Sequence, residues 1–168
     1  MTSRFEREVL PHVDRVVCAA LYLTGDRAEA GELVQETFAT AYAAFGQLAS
    51  GTNVTAWLYR ILIGTVASSR VKQREPQPAQ PNRSGVSPAE IRAVMRLPGP
   101  VIRGALQQLQ PNSRLVVYLA DVEGLACREI ADITGASIET VRRRRHTGRR
   151  QLAELLRDYA AARRNHND

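Results

Sequence analysis

An all-α fold of two small helical domains, joined by a flexible linker, is predicted by three features of this sequence. Apolar residues recur at helical rather than alternating spacing toward both ends of the chain. Five of the eight prolines fall between Gln73 and Pro98, among Gln, Asn, Ser and Gly, in a stretch with little apolar content. Near the C-terminus a helix, a glycine-containing turn and a second helix follow one another. Composition agrees: 44% hydrophobic residues can bury a core, but 5% aromatics fit small helical units better than one large sandwich or barrel. Domains are expected at 1–72 and 98–168, with 73–97 as the linker. Fully extended, that linker spans at most roughly 80 to 90 Å.

The first helix is expected to carry Phe5, Val9, Val13, Val16, Val17 and Ala20 and to end at Thr24-Gly25-Asp26, which also caps the next helix. In the second, Val34, Phe38, Ala41, Tyr42 and Phe45 form the apolar stripe. Glu29, Glu32 and Glu36 share another face, which on its own is equally a solvated one. A third helix comes after Gly51-Thr52-Asn53, with Asn53 as its cap, and carries Trp57, Leu58, Ile61, Leu62 and Val66. It leads into Arg70, Lys72 and Arg74.

Beyond the linker, Val101 to Leu109 and Arg114 to Val122 read as two short helices, with Pro111 suited to a first helical turn. Then come Ala126 to Ile133, the break Thr134-Gly135-Ala136-Ser137, and a long helix from Ile138. Ala131 lets the two helices approach, Gly135 permits the turn and Ser137 caps the long helix. Ile130 and Val141 would fill the small core between them. Ile138, Val141, Gly148, Leu152 and Leu155 are expected to face inward, and Glu139, Arg142, Arg143, His146 and Arg150 outward.

Charge points to a polyanionic partner. The formal net charge is +6 and the sequence pI about 10.0. Met1 to Phe45 holds four arginines against seven acids, whereas Gly46 to Arg74 holds four basic residues and no acid. Glu139 to the C-terminus holds nine arginines against four acids. Arginine forks bond phosphates and guanine edges. In the acid-free stretch, Asn53, Trp57, Tyr59 and Arg60 combine an amide, rings and a cation, a set that can stack on and bond to unpaired bases. A Trp and Leu stripe is equally a core pattern. Cys18 and Cys127 belong to no metal-spaced cluster, so neither a disulfide nor a zinc site is expected, nor any cofactor. No run is apolar enough to span a bilayer and the N-terminus is no signal peptide, which leads to the expectation of a cytoplasmic protein.

With these residues in view, Ala28 to Phe38 and Gly51 to Leu62 resemble region 2 of extracytoplasmic-function (ECF) RNA polymerase sigma factors of the sigma-70 family. Tyr118 to Leu125, Glu129-Ile130-Ala131 and His146 to Leu152 resemble region 4, most closely in the actinobacterial redox-stress group. The resemblance implies a factor that binds RNA polymerase core and directs promoter-specific initiation, with no catalytic centre of its own. By it, Glu32, Gln35 and Glu36 would dock on the β′ clamp helices. Thr52, Asn53, Trp57, Tyr59 and Arg60 would hold the melted minus-ten element, and Ser137, Glu139, Thr140, Arg142, Arg143, Arg144 and Arg149 would read the minus-thirty-five element. It also implies an anti-sigma factor, zinc-containing in the redox group, and a chain that is a monomer when free. Gly31 stands where an acid is usual, Gly64 and Ser68 where amides are usual, and Thr147 where an arginine is usual. Arg145 stands where a leucine is usual, on the inward stripe, so its charge must snorkel or the helix must sit differently.

Two other classes compete. A stand-alone helix-turn-helix regulator accounts for the C-terminal half only, and would bring a palindromic site and a dimer interface for which no heptad is seen. An enzyme is disfavoured: His12, His146 and His166 form no ligand set, Cys18 has no evident base and no phosphate-binding glycine loop is present.

Overall fold

The computed structural model describes residues 2–72 and 99–164. The expected linker at 73–97, with Arg74, lies outside the described residues. By its contacts the chain divides into two compact units, Met1–Arg96 and Leu97–Asp168. The described residues are helical and contain no strand.

The first unit opens with α1 (Thr2–Val9), a 3-10 turn (Leu10–His12) and α2 (Val13–Thr24), where one continuous helix was expected. Pro11 is the physical reason: it has no N–H to donate, and its ring clashes with the carbonyl of residue 7 in a straight helix. The apolar period runs through the break undisturbed, so Phe5, Val9, Val16 and Val17 are all buried. Helix α2 ends on Gly25 at φ 73°, whose N–H donates to Leu21 O at 2.9 Å. Asp26 then caps α3 (Arg27–Ala44), its Oδ1 accepting from Glu29 N at 2.8 Å.

The buried stripe of α3 is Ala30, Leu33, Thr37 and Ala41, which shares Ala41 with the expected one but runs through Leu33 and Thr37 in place of Val34 and Phe38. Val34 and Phe38 lie at its margin, and Tyr42 is 52% exposed. The small side chains let α3 approach α2 and α4 closely, which the larger Val and Phe would prevent. Phe45 is buried in the 3-10 turn Phe45–Gln47, with Phe5 edge-on at 5.2 Å. Helix α4 (Val54–Lys72) buries Leu58, Tyr59, Leu62 and Thr65.

In the second unit, α5 (Pro100–Gln107) is closed by an arginine rather than by a glycine. Arg114 donates from Nε to Leu106 O at 3.0 Å and from Nη2 to Gln107 O at 2.6 Å and Leu109 O at 3.0 Å. Leu106 O also accepts from Leu109 N at 3.1 Å, so the guanidinium supplements the last turn, and a cation at a helix C-terminus meets the favourable end of the dipole. Helix α6 (Pro111–Val117) passes into a π-turn (Tyr118–Val122), closed by Glu123 N donating to Tyr118 O at 3.1 Å. Helix α7 (Cys127–Thr134) and the long α8 (Ile138–Arg164) complete the unit.

Helix α8 crosses α6 at Gly148. A Cβ there would stand 2.6 Å from Val117 Cγ2 and 3.3 Å from Ser113 O, so only glycine permits this approach. No helix of the described residues is long and apolar enough to cross a membrane.

Candidate nucleic-acid interface

Three exposed surfaces carry the candidate contacts, one in the second unit and two in the first. The second unit presents the clearest one. Gly135, at φ 69°, ends α7 with its N–H donating to Ala131 O at 2.9 Å. Two residues later Ser137 Oγ accepts from Thr140 N at 3.1 Å, and its hydroxyl donates to Thr140 Oγ1 at 2.9 Å. The entry to α7 is fixed as well, since Glu129 Oε2 accepts from Ala126 N at 2.8 Å. Ile130, Ala131 and Val141 are buried and clamp the two helices together. Helix, left-handed glycine, serine cap and helix make a rigid helix-turn-helix whose second helix is half solvent-exposed.

On that exposed side stand Glu139, Arg142, Arg143, His146 and Arg150, while Arg144 is half-buried. Among the described residues none forms a hydrogen bond or ion pair with Arg142 or Arg143. Two guanidinium groups in the first turns of a protruding helix suit guanine edges and phosphates. Ile138, expected to face inward, is 39% exposed, because the core seam of α8 begins only at Val141.

Arg149 does not belong to this free set. Its Nε donates to Asp121 Oδ2 at 2.9 Å and its Nη2 bonds Asp121 Oδ1. Arg145 Nη2 donates to the same Oδ1 at 2.9 Å, which is where the charge on the inward stripe emerges. Arg145 Nη1 also lies 3.9 Å from Cys127 Sγ. Burial opposes ionisation of Asp121, but the hydrogen bonds and charges of Arg149 and Arg145 outweigh it and hold the carboxyl below its ordinary range. Asp121 and Arg145 lie 24 residues apart, so no local pattern announces the pair.

The first unit has two candidate surfaces of its own. Glu32, Gln35 and Glu36 are exposed along α3, opposite its buried stripe, and Gly31 beside them is exposed with nothing near an added Cβ. At the start of α4, Gly51 takes φ 84° and Thr52 donates its hydroxyl to Ala49 O at 2.8 Å. Asn53 caps the helix, its Oδ1 accepting from Ala56 N at 3.1 Å, and the residue is exposed. Trp57 is half-buried, tilted against Phe45 with 6.5 Å between ring centroids. Arg60 is exposed.

Tyr59 is 1% exposed and packs in the core of the unit, which corrects its expected place among the base contacts. Two residues on from Trp57, it falls some 200° round the helix and points away from that surface. His12 braces the same region from the 3-10 turn, with its Nδ1 3.0 Å from Thr55 Oγ1. Burial, and then the charge of Arg15, push the imidazole below its ordinary value.

Among the described residues, no group of three His, Cys, Asp or Glu is placed to hold a metal ion. Cys18 is buried and Cys127 half-buried, and the two form no disulfide.

Comparison with known proteins places this geometry. Residues 9–75 match the family model for sigma-70 region 2, and residues 101–152 the model for sigma-70 region 4. The chain is 36% identical over 155 residues to the ECF RNA polymerase sigma factor SigE of Mycolicibacterium smegmatis, covering 88% of this chain and 60% of SigE. It is 31% identical over 156 residues to the RNA polymerase sigma factor CarQ of Myxococcus xanthus, covering 90% of this chain and 88% of CarQ. Among solved structures, the sigma factor RpoE of Bartonella quintana, crystallised with the anti-sigma factor NepR, superposes with a TM-score of 0.74 at 25% identity, covering 92% of this chain and 97% of that one.

Proposed function

The chain belongs to the sigma-70 family, in its ECF branch, and on that premise we propose that it binds RNA polymerase core and directs promoter-specific transcription initiation. The observation that carries this reading is the order of the two matched regions on one chain, each with an exposed surface of the chemistry its role requires. Neither a stand-alone helix-turn-helix regulator nor an enzyme accounts for the first of them.

In this reading the exposed carboxylates and amide of Glu32, Gln35 and Glu36 meet the clamp helices of the polymerase β′ subunit. Thr52, Asn53, Trp57 and Arg60 hold the unpaired minus-ten bases: the free face of the Asn53 amide reads a base edge, the exposed part of Trp57 offers a stacking surface, and Arg60 attracts phosphate. Unstacking a base costs a few kcal/mol, which stacking and polar contacts of this kind offset. Tyr59 acts indirectly, as core packing on the far side of α4.

Ser137, Glu139, Thr140, Arg142, Arg143 and Arg144 form the minus-thirty-five reader. Ser137 and Thr140 set the first turn of α8, Arg142 and Arg143 reach the major groove, Arg144 lies at its margin, and Glu139 can accept from a cytosine amine. The protein supplies no bond chemistry here, since that belongs to the polymerase. An anti-sigma partner fits the same two surfaces, supported by the likeness to a sigma factor solved with one. The free chain is read as a monomer.

Run-off transcription with bacterial core polymerase tests this, on promoters found by transcript sequencing after overexpression. New start sites that depend on the protein, lost in Arg143→Ala and in Asn53→Ala, are the expected result. Core that is neither bound nor redirected, while duplex DNA is still shifted, would overturn it in favour of a stand-alone regulator.

A further inference from the structure

Ile138, Arg142, Arg145 and Arg149 succeed one another at i, i+4, i+7 and i+11 along one side of α8. Arg142 and Arg149 differ by only about 20° around the helix axis. One guanidinium is nevertheless exposed with no partner among the described residues, whereas the other is closed on Asp121 in a two-point fork. Asp121 sits on the outer side of the π-turn, beside this stripe, and takes Arg145 on the same oxygen that receives Arg149 Nη2. The cluster lies at the surface, with side-chain exposures of 25% for Asp121, 31% for Arg145 and 54% for Arg149. A phosphate approaching α8 would therefore compete with a carboxylate already in place.

We propose that Asp121 is a specificity-determining residue: an internal counter-ion that withholds Arg145 and Arg149 from the DNA backbone. The proposal rests on α8 being a DNA-reading helix. Phosphate contacts carry no sequence information and supply most of non-specific affinity. On random duplex any unengaged arginine finds a phosphate, whereas on the cognate site the register is dictated by base contacts from the first turns. Neutralising the two arginines farther along the stripe thus lowers affinity for random DNA more than for the promoter. The inward position of Arg145 fits this role, since its stem packs in the unit while its head is spent on Asp121 rather than on solvent.

Salt titration of binding by the full chain tests the proposal, using fluorescence anisotropy with a random duplex and with a promoter duplex identified by run-off. Asp121→Asn is expected to steepen the slope of log K against log salt on random duplex by about 1 to 2, at about 0.9 for each arginine released to phosphate. The steepening should vanish in Asp121→Asn/Arg145→Gln/Arg149→Gln. With Asp121 in place, Arg149→Gln should leave the slope unchanged, whereas Arg143→Gln should lower its magnitude by about 1. Arg149→Gln lowering the slope as much as Arg143→Gln would overturn the proposal, because Arg149 would then leave Asp121 for phosphate. So would an Asp121→Asn slope equal to wild type in a protein whose melting by circular dichroism shows it folded. If Asp121→Asn does not fold, the Arg149→Gln comparison alone decides. Wild-type binding that Arg143→Gln does not affect would sink the DNA-reading role of α8 as well, while a normal Arg143→Gln effect without the Asp121 effect sinks only the counter-ion.

Discussion

At the start of α4, residues proposed to touch DNA also build the unit. Asn53 caps the helix, Thr52 closes the turn before it, Trp57 leans on Phe45 and Tyr59 fills the core behind. At the start of α8 the duties are divided. Gly135 and Ser137 make the turn, Val141 and Gly148 make the packing, and Arg142 and Arg143 do neither. The difference has a physical basis in what each surface must bind. A single-stranded base demands a platform of rings and amides, and such groups gain by being half-buried, so recognition and packing share side chains. A duplex groove demands long cations that reach away from the fold, so packing is left to others. Substitutions should therefore confound stability with recognition in the first unit and separate them in the second.

The largest effect expected of that contrast lies between Tyr59 and Arg143. Tyr59→Ala empties a fully buried site and should destabilise the first unit by about 3–5 kcal/mol, whereas Arg143→Ala should stay within about 0.5 kcal/mol while removing minus-thirty-five binding. Trp57 is the only tryptophan in the chain, so its fluorescence in a urea titration reports the first unit alone. A small effect of Tyr59→Ala on that transition would show the contrast to be wrong.

Gly148→Ala comes next and tests the packing partner of the reading helix. The added Cβ collides with a stiff, β-branched Val117 side chain; overpacking of this kind costs about 1–3 kcal/mol, of which the helix-propensity gain of alanine offsets up to about 1 kcal/mol. Unfolding monitored by circular dichroism should show the second unit melting earlier, with the Trp57 transition unmoved. A shift in both transitions would mean that the two units do not unfold independently.

The two caps give a smaller and sharper comparison. Asn53→Ala and Ser137→Ala should each cost about 1 kcal/mol of helix stability. Asn53→Asp keeps the oxygen that accepts from Ala56 N but loses the amide hydrogens, so it should retain the fluorescence transition and lose open-complex formation, read by permanganate footprinting. Stability and promoter opening falling together in Asn53→Asp would assign the amide to the fold alone.

The legibility of each feature in the sequence depends on the range of the interaction behind it. Caps and turns are written within four residues, so Asp26, Asn53, Gly135 and Ser137 are readable from residue type alone. Most of the buried stripe of α3 is not, because Ala30 and Thr37 carry little hydrophobic signal beside Val34 and Phe38, although small size is what lets the helices close. Tyr59 and Trp57 look alike in the sequence, and only the packing of α4 sends one inward and leaves the other at the margin. Pro11 is a readable signal overridden by a longer one, since the apolar period continues across the kink. Arg145 is legible only as a misplaced charge on the inward stripe, and its partner Asp121 is not, because that pairing exists only after α6 and α8 have packed.

Acid separates the two units most gently. In the first, burial and the Arg15 charge hold His12 below its ordinary value of 6.5, so the neutral imidazole is the folded form. The unfolded chain binds the proton first as pH falls, so the contribution of His12 is full above 6.5 and is lost as pH drops through that value toward the lower folded one. In the second, burial works against ionisation of Asp121, but Arg149 and Arg145 prevail and hold it below its ordinary 3.8. Its contribution is present above 3.8 and is lost only as pH falls through the folded value. Both losses have the same sign but fall in different windows, so acid should lower the Trp57-reported melting temperature as pH falls below 6.5, while the Asp121 contribution to the second unit holds until pH falls below 3.8. His12→Gln should flatten the first response, keeping a group able to bond Thr55 without titrating. A slope that survives His12→Gln would place the acid sensitivity of the first unit on its carboxylates instead, and the contrast between the units would then rest on packing alone.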